Sequence, residues 1–257
     1  AMMDVLSGYE TGDPNPPPLP TRPYATEVGA KVEKLRVGLL SGALLPGGLD
    51  HADARASVEA TGKLLQSLGH HVEVAHPAAL NEAEFGDVFL AIVIAHIAND
   101  VAALEKAFGV TLTTDDIEPG NHLMAQFGNA TNVVAYLSAV TWMQAWTRRV
   151  VSWWLPRDGK QGFDVLVTPT LAGPPPKIGA LSGDDSTDRI REIMQYTAQF
   201  NMTGQPAISL PLHTSASGLP MGVQFVGAPY REDLLIRLAA QIEAAAPWSS
   251  RRPAVHA

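Results

Sequence analysis

The run FNMTGQPAISLP, Phe200 to Pro211, sets Asn201, Thr203, Gly204 and Gln205 directly before an apolar stretch, Ala207 to Leu212. Two amides, a hydroxyl and a glycine donate and accept hydrogen bonds without carrying charge. Such a group can cap a helix and turn the chain, or satisfy the backbone of a buried loop. It reads as structural support beside a site more readily than as direct contact with a substrate. A second group is His96 with Asn99, inside the stretch Phe85–Phe108. Three positions apart on a helix, they share a face. Two readings stay open. They are polar residues at a helix rim, each with a partner, or they line a pocket, since buried polar side chains must be satisfied by something.

Other chemistry is sought and not found. No G-x-x-x-x-G-K-[ST] or G-x-G-x-x-G run offers a phosphate or dinucleotide cradle, and no H-E-x-x-H helix or calcium loop is present. No G-x-S-x-G elbow presents a serine. The eight histidines are scattered. His70 and His71 point to opposite faces of a strand, which is wrong for two ligands of one metal. With no cysteine in the chain, there is no disulfide framework, thiol nucleophile or cysteine-held metal. No metal and no other cofactor is expected. Trp142, Trp146, Trp153 and Trp154 invite an aromatic cage, but their spacing fits helix packing and a helix rim at least as well.

Composition bounds the partners. The chain has 257 residues, 46% hydrophobic and 17% charged, enough for one large domain or two small ones with a sizeable core. The formal net charge of −8 disfavours nucleic acid or an anionic membrane, both of which need a basic face. A neutral small molecule stays compatible. No uninterrupted apolar run approaches the roughly 18–20 residues of a membrane span. The opening AMMDVLSG has no basic region and no cleavage signal, so a cytoplasmic protein is expected. It reads as the last turns of an apolar helix ended by Gly8, as if the chain starts within an element.

The elements that must position these residues follow from pattern. Residues 1–33 are a terminal helix and a connector with six prolines between Tyr9 and Ala25, which forms neither helix nor central strand. Residues 34–257 form the body. Lys34–Gly42 is a short strand and Asp53–Leu68 a helix with Val58, Leu64, Leu65 and Leu68 on its apolar face, ended by Gly69. His70–Pro77 is an alternating strand with Val72 and Val74 inward. This strand–helix–strand spacing predicts a parallel pair. Phe85–Phe108 is apolar on most sides and closed by Gly109, which predicts a buried helix. Thr113 with Asp116 resembles a capping box, interrupted early by Pro119 and Gly120. Asn129–Leu155 reads as one long helix with Val133, Val134, Leu137, Val140, Trp146, Val150 and Trp154 toward the core, stopped by Pro156 and an Asp158–Gly159 turn. Phe163–Thr170 is a strand, and Ser186 caps a helix from Thr187 to Phe200. Ala207–His213 and Leu219–Gly227 form an antiparallel hairpin around TSASG. Glu232–Ala246 is the closing helix, and PWSSRRPAVHA is a tail. The fold class is α/β, a mixed sheet flanked by helices.

Three segments in order, FDVLVTPTLAGPPPKIG, FNMTGQPAISLP and GLPMGVQFVGAPYREDLLIRLAAQIE, together resemble the C-terminal part of an amidase-signature enzyme. AMMDVLSGYETGDPNPP resembles the helix and connector after that family's signature region, and KLRVGLLSG its next strand. RPYA, LTTDDIE, GQPAISLP, YREDLL and PWSSRRP carry a finer resemblance to a bacterial branch that includes 6-aminohexanoate-cyclic-dimer hydrolases. The resemblance implies amide hydrolysis by a serine nucleophile, a second serine and a lysine as ultimate base, with backbone N–H groups as oxyanion hole. It places those groups in a glycine- and serine-rich signature and further upstream. Lys31, Lys34, Lys63, Lys106, Lys160 and Lys177 are the only lysines, and none has a matching context. TSASG is a hairpin loop. No catalytic residue is therefore assigned to this chain.

The resemblance implies an amidohydrolase of which this chain is the C-terminal portion, supplying half of the sheet and one wall of the substrate cleft. The wall candidates are Val93, His96 and Asn99 on the apolar helix, with Thr168 and Thr170 after the strand. Asn201, Thr203, Gly204 and Gln205 support the active site structurally. The expected partners are a small-molecule amide and the N-terminal catalytic portion of the same protein, with homodimerisation as another cover for exposed apolar edges. The rival reading is a non-catalytic small-molecule-binding or remnant α/β domain.

Overall fold

The computed structural model describes residues 1–44, 48–156, 159, 161–181 and 186–252. The expected Asp158–Gly159 turn, the side-chain cap by Ser186 and the last residues of the tail, 253–257, lie outside the described residues. In chain order the elements are α1 (Met2–Leu6), β1 (Arg36–Leu39), α2 (Ala52–Ser67), β2 (His71–Val74), α3 (Phe85–Phe108), α4 (Pro119–Ala130), α5 (Val133–Val151), β3 (Val165–Pro169), α6 (Ser186–Ile193), α7 (Ala198–Thr203), β4 (Ala207–Thr214), β5 (Pro220–Gly227) and α8 (Glu232–Ala245). They fall into two compact units, one from residues 1–77 and 151–257, the other from 78–150.

The first unit holds a mixed five-stranded sheet in the order β2-β1-β3-β5-β4. β1 runs parallel to β2 and β3, as a strand–helix–strand crossover requires. β5 runs antiparallel to both β3 and β4. The register puts Val37 beside Val165, Val167 beside Phe225 and Leu210 beside Val223. These side chains share one face and form the core with Val58 and Leu65 of α2 and Leu234, Leu235, Leu238 and Ile242 of α8. Successive strand residues alternate faces, so the other face takes Gly38, Thr168, Gln224 and Ser209. Gly38 is needed there: a Cβ would lie 2.4 Å from the Ala75 carbonyl oxygen and 2.6 Å from the Trp153 ring. Trp153 stacks on Phe163 at 3.8 Å, and the Arg36 guanidinium lies 3.9 Å over the other side of that ring. The tryptophan is thereby seated flat on β1, as packing and not as a cage.

The alternation in β2 fails at its end. Val74, expected inward, is 86% exposed, because β2 is the edge strand of the sheet and Val74 is its last residue. His70 and His71 do part as expected. His70 is buried, its Nδ1 accepting the Leu35 N–H at 3.2 Å and its Nε2 within 3.0 Å of Gln241, while His71 is exposed. The expected helix Thr187–Phe200 is two helices. Gln195 and Tyr196 turn inward between α6 and α7: Gln195 accepts the Leu44 N–H and donates to the Leu49 carbonyl, and the Tyr196 hydroxyl donates to the Gly42 carbonyl. Burial pushes the Tyr196 phenol up to about 12, so it stays a donor.

The second unit is helical. Here α3 is the main departure from expectation. Only Phe85, Ile92 and Ala98 of its 24 residues are buried. It packs on α4 along a narrow stripe, where Gly128 leaves no room for a Cβ against the Ile94 carbonyl oxygen. The helix is also long and apolar enough to cross a membrane by length and composition, with mean hydropathy 1.8 over 18 residues and 11% of that window buried. Counting uninterrupted apolar runs misses this, because His96 and Asn99 break the run without lowering the mean much. Pro119, expected to interrupt a helix, begins one. It occupies the first turn of α4, where its missing N–H costs nothing. The Thr113–Asp116 pair forms a turn ahead of it, with the Thr113 N–H and hydroxyl both donating to the Asp116 carboxylate at 2.9 Å.

The expected helix Asn129–Leu155 is broken as well. Thr131 leaves helical geometry, and the Asn132 side chain accepts the Ala135 N–H at 2.9 Å, capping α5 afresh. Its apolar first turns face outward: Val133, Val134 and Leu137 are 69%, 68% and 56% exposed. The later turns point inward as expected. Trp146 is fully buried, 4.6 Å from Phe85 between ring centres, and its indole N–H donates to the Ala79 carbonyl at 2.8 Å.

Candidate active site

β3 carries the polar residues of the first unit into its second sheet face. Thr168 is fully buried and lies level with Gln224 of β5 and Ser209 of β4. Gln224 donates through Nε2 to Thr168 Oγ1 at 3.0 Å and to the Tyr196 carbonyl at 2.8 Å. Thr168 itself donates to the Pro169 carbonyl. This row is satisfied and rigid. One step along, Thr170 Oγ1 lies 2.7 Å from Ser209 Oγ, across Gly222. Ser209 is exposed and Thr170 half-buried. Two side-chain hydroxyls meet at this point.

The four residues ahead of β4 act as a junction. Gly204 ends α7 with φ 66°, a left-handed conformation that favours glycine. Gln205 is buried and donates through Nε2 to the Gly227 carbonyl at 2.7 Å. Its Oε1 is buried with no hydrogen-bond partner among the described residues. Thr203 bonds back to the Phe200 carbonyl at 3.4 Å, and Asn201 is exposed. Cap, turn and backbone support are what this geometry does.

On α3, Val93, His96 and Asn99 lie on one face of the helix. Val93 is half-buried, and His96 and Asn99 are exposed. His96 Nε2 is 3.4 Å from the Tyr136 hydroxyl, with the rings edge to face at 6.2 Å. The premise that these two polar groups are buried does not hold, so neither carries a burial cost. Thr168 is on β3 and Thr170 directly follows its end, and Val93, His96 and Asn99 are together on α3.

One grouping has no short-range signal in the sequence. Asp53 stands in the first turn of α2, where a carboxylate suits the helix dipole. Both of its oxygens accept the Ala216 N–H at 3.3 Å, from the tip of the β4–β5 hairpin. His51 Nδ1 and His213 Nε2 approach the same carboxylate at 3.8 and 3.9 Å, beyond hydrogen-bonding reach. Asp53 and His213 are 160 positions apart, and only the sheet brings them together. Among the described residues no three histidine, cysteine, aspartate or glutamate side chains converge as a metal site. Ser215 and Ser217 of TSASG bond each other at 2.9 Å, and Ser215 Oγ also accepts the Leu219 N–H. Those serines close the hairpin.

Comparison with known proteins gives the family and the fold. The profile of the family described as Amidase matches residues 1–236. A 6-aminohexanoate-cyclic-dimer hydrolase of Pseudomonas sp. (strain NK87) is 34% identical over 98% of this chain and 52% of its own length. A protein of the same name from Paenarthrobacter ureafaciens matches to the same extent. A solved structure of 6-aminohexanoate cyclic dimer hydrolase superposes with a TM-score of 0.90 at 34% identity, over 98% of this chain and 53% of that one. The chain thus spans about half the length of the curated relatives it matches.

Proposed function

This chain belongs to the amidase family, and we propose that it forms the C-terminal half of an amide hydrolase whose catalytic groups reside in a preceding portion. The observation that carries the reading is the match over nearly the whole chain to only 52% of a named cyclic-amide hydrolase. The resemblance implies two serines and a lysine as the reacting groups, and no lysine of this chain stands in a matching context. Ser215 and Ser217 are engaged in the hairpin, which leaves no activated hydroxyl there.

In this reading the chain holds and shapes, and the other portion reacts. The satisfied Thr168–Gln224 row fixes the second sheet face at the carboxyl end of β3. A rigid supporting shell is what keeps a reacting bond within reach of a nucleophile supplied from elsewhere. The paired hydroxyls of Thr170 and Ser209 suit a neutral amide, and both relatives are named as 6-aminohexanoate-cyclic-dimer hydrolases. Within the helical unit, Val93, His96 and Asn99 are the proposed substrate-facing residues, and the exposed apolar residues of α3 and α5 are the surface proposed to meet the catalytic portion.

The test is complementation. The purified chain is mixed or co-expressed with the amino-terminal portion of a 6-aminohexanoate-cyclic-dimer hydrolase, and acid release from the cyclic dimer is measured. Turnover is expected from the mixture and not from either part alone, because groups that act as a unit lose orders of magnitude when one is missing. Turnover by this chain alone, surviving alanine at both Ser215 and Ser217, would overturn the reading.

A further inference from the structure

We infer that Thr170 and Ser209 form a receiving point for the neutral amide group of a ligand, with Gly222 as its floor. This rests on the proposed amide-hydrolase reading and adds Ser209 and Gly222 to the chain's own binding residues, with a stated selectivity.

The glycine is the first sign of a built feature. A Cβ on residue 222 would lie 2.4 Å from Ser209 Oγ and 2.8 Å from Thr170 Oγ1. No side chain there is compatible with the hydroxyl pair, so the pair and the glycine stand or fall together. Backbone φ at Gly222 is not in the left-handed region, which removes the other usual reason for a glycine. The floor is also anchored: Thr170 N–H donates to the Gly222 carbonyl at 3.1 Å.

The position is the second sign. β1 and β3 are parallel neighbours. From β1 the chain crosses to β2 on one side, and from β3 it passes to β4 and β5 on the other. A sheet of this kind opens a crevice outside the carboxyl ends of the two strands where connections diverge. Thr170 follows directly on the carboxyl end of β3. The residues just behind it cannot take a ligand, since Thr168 and Gln224 are buried and already bonded. Thr170 and Ser209 are the accessible members of the row.

Hydrogen-bond counting then selects the ligand. Each hydroxyl offers one donor and two lone pairs. Their mutual bond at 2.7 Å spends one donor and one lone pair. One O–H and three lone pairs remain, pointing from two oxygens set side by side. An amide matches both kinds: its carbonyl accepts the free O–H and its N–H donates to a lone pair. Between these two hydroxyls a carboxylate finds a single donor and an ammonium finds only lone pairs. The site therefore prefers an amide over the acid that hydrolysis of it would release.

The experiment reads this chain directly. Threonine methyl groups are labelled with 13C, and the protein is titrated with N-methylhexanamide and, separately, with hexanoate. A saturable shift of the Thr170 methyl is expected with the amide, and about ten-fold weaker binding with hexanoate, the factor of one lost hydrogen bond. Ser209→Ala should weaken amide binding by a similar factor, about ten-fold, at an exposed position where unfolding is not at issue. Ser209→Thr should restore it. Gly222→Ala should abolish the response, with a thermal melt to confirm that the chain stays folded. Equal binding by the Ser209→Ala variant, equal or tighter binding of hexanoate, or no saturable shift at all would each overturn the inference. A Thr170 response with no turnover in the complementation assay would instead count against the hydrolase reading alone.

Discussion

Glu27 and Arg237 stand 210 positions apart, and the Arg237 Nε–H donates to the Glu27 carboxylate at 2.5 Å. Arg22 closes the same carboxylate from the other side with two N–H bonds, also at 2.5 Å. Glu27 is 1% exposed, so a buried charge is held by two arginines that reach water. Arg237 extends the chain of charges to Asp233 and Asp233 to Arg231. The proline connector ends in a single 3-10 turn, Tyr24–Glu27, whose first N–H groups donate to the Asp4 carboxylate of α1. It is pinned to α8 through this ion-paired carboxylate.

The pH dependence of that pin has a definite sign. The Arg22 guanidinium, opposed by burial and helped by Arg237, holds the Glu27 carboxyl at about 2, below its ordinary 4.5. A carboxyl lowered on folding stabilises fully above its unfolded value and loses that contribution as pH falls through the folded one. The window is therefore from 4.5 down to about 2. Glu27→Gln should cost about 3 kcal/mol at neutral pH, the low end for breaking a buried pair, because Arg22 can rehydrate. Melts of both proteins between pH 7 and 2 check this. The two stabilities should converge on acidification; a constant difference would exclude the ion pairs as its cause.

Gly128 gives a prediction of the second unit. Its absent Cβ would stand 2.1 Å from the Ile94 carbonyl oxygen and 2.7 Å from the Ala98 Cβ. Alanine at a helical position gains about 1 kcal/mol over glycine in an isolated helix. Here backbone must move instead, and overpacking costs about 1–3 kcal/mol. Gly128→Ala should destabilise the unit, and limited proteolysis within residues 78–150 should speed up. A more stable variant would show that α3 and α4 do not meet as closely as described.

What the sequence made legible were the elements whose pattern is local and whose partners lie inside this chain. β1, α2, the β4–β5 hairpin and α8 have alternating or helical apolar positions, and their apolar faces meet one another. Breaks depending on one side chain were harder to read. Asn132 caps α5 where periodicity alone runs on, and Gln195 and Tyr196 divide α6 from α7 through bonds to residues some 150 positions away. Burial of α3 was misread because an apolar pattern states what a helix prefers, not what is present to cover it. Thr168, expected on the substrate wall, is instead fully buried and bonded to Gln224 and the Pro169 carbonyl, because strand alternation turns it into the sheet. Ser209, Gly222 and the Asp53–His213 approach were not legible, because each is a relation across strands.

Asn99→Leu separates wall from core. Asn99 is exposed on α3, so the substitution should alter stability by no more than about 0.5 kcal/mol, as surface changes do. In the complemented enzyme, KM should change several-fold if this face lines the cleft. The check is a denaturant melt and steady-state kinetics on the same variant. Large destabilisation with unaltered kinetics would return Asn99 to a core role and remove it from the wall.

Asp53 tethers the hairpin tip, and its loss should be felt locally. Its carboxylate shares the Ala216 N–H between both oxygens at 3.3 Å, a long and divided bond. Asp53→Ala removes the acceptor and the favourable charge at the start of α2. One net hydrogen bond is worth about 1 kcal/mol, so amide exchange at Ala216 should quicken about five-fold. The dipole contribution adds about 0.3–1 kcal/mol to global destabilisation. Ser215 and Ser217 still close the turn, so Leu219, whose N–H bonds to Ser215, should exchange as before. Measured by native-state hydrogen exchange, faster Ala216 with unchanged Leu219 identifies a tether at one point. Equal acceleration of both amides would mean that Asp53 holds the whole hairpin, and no change at Ala216 would mean that it holds none of it.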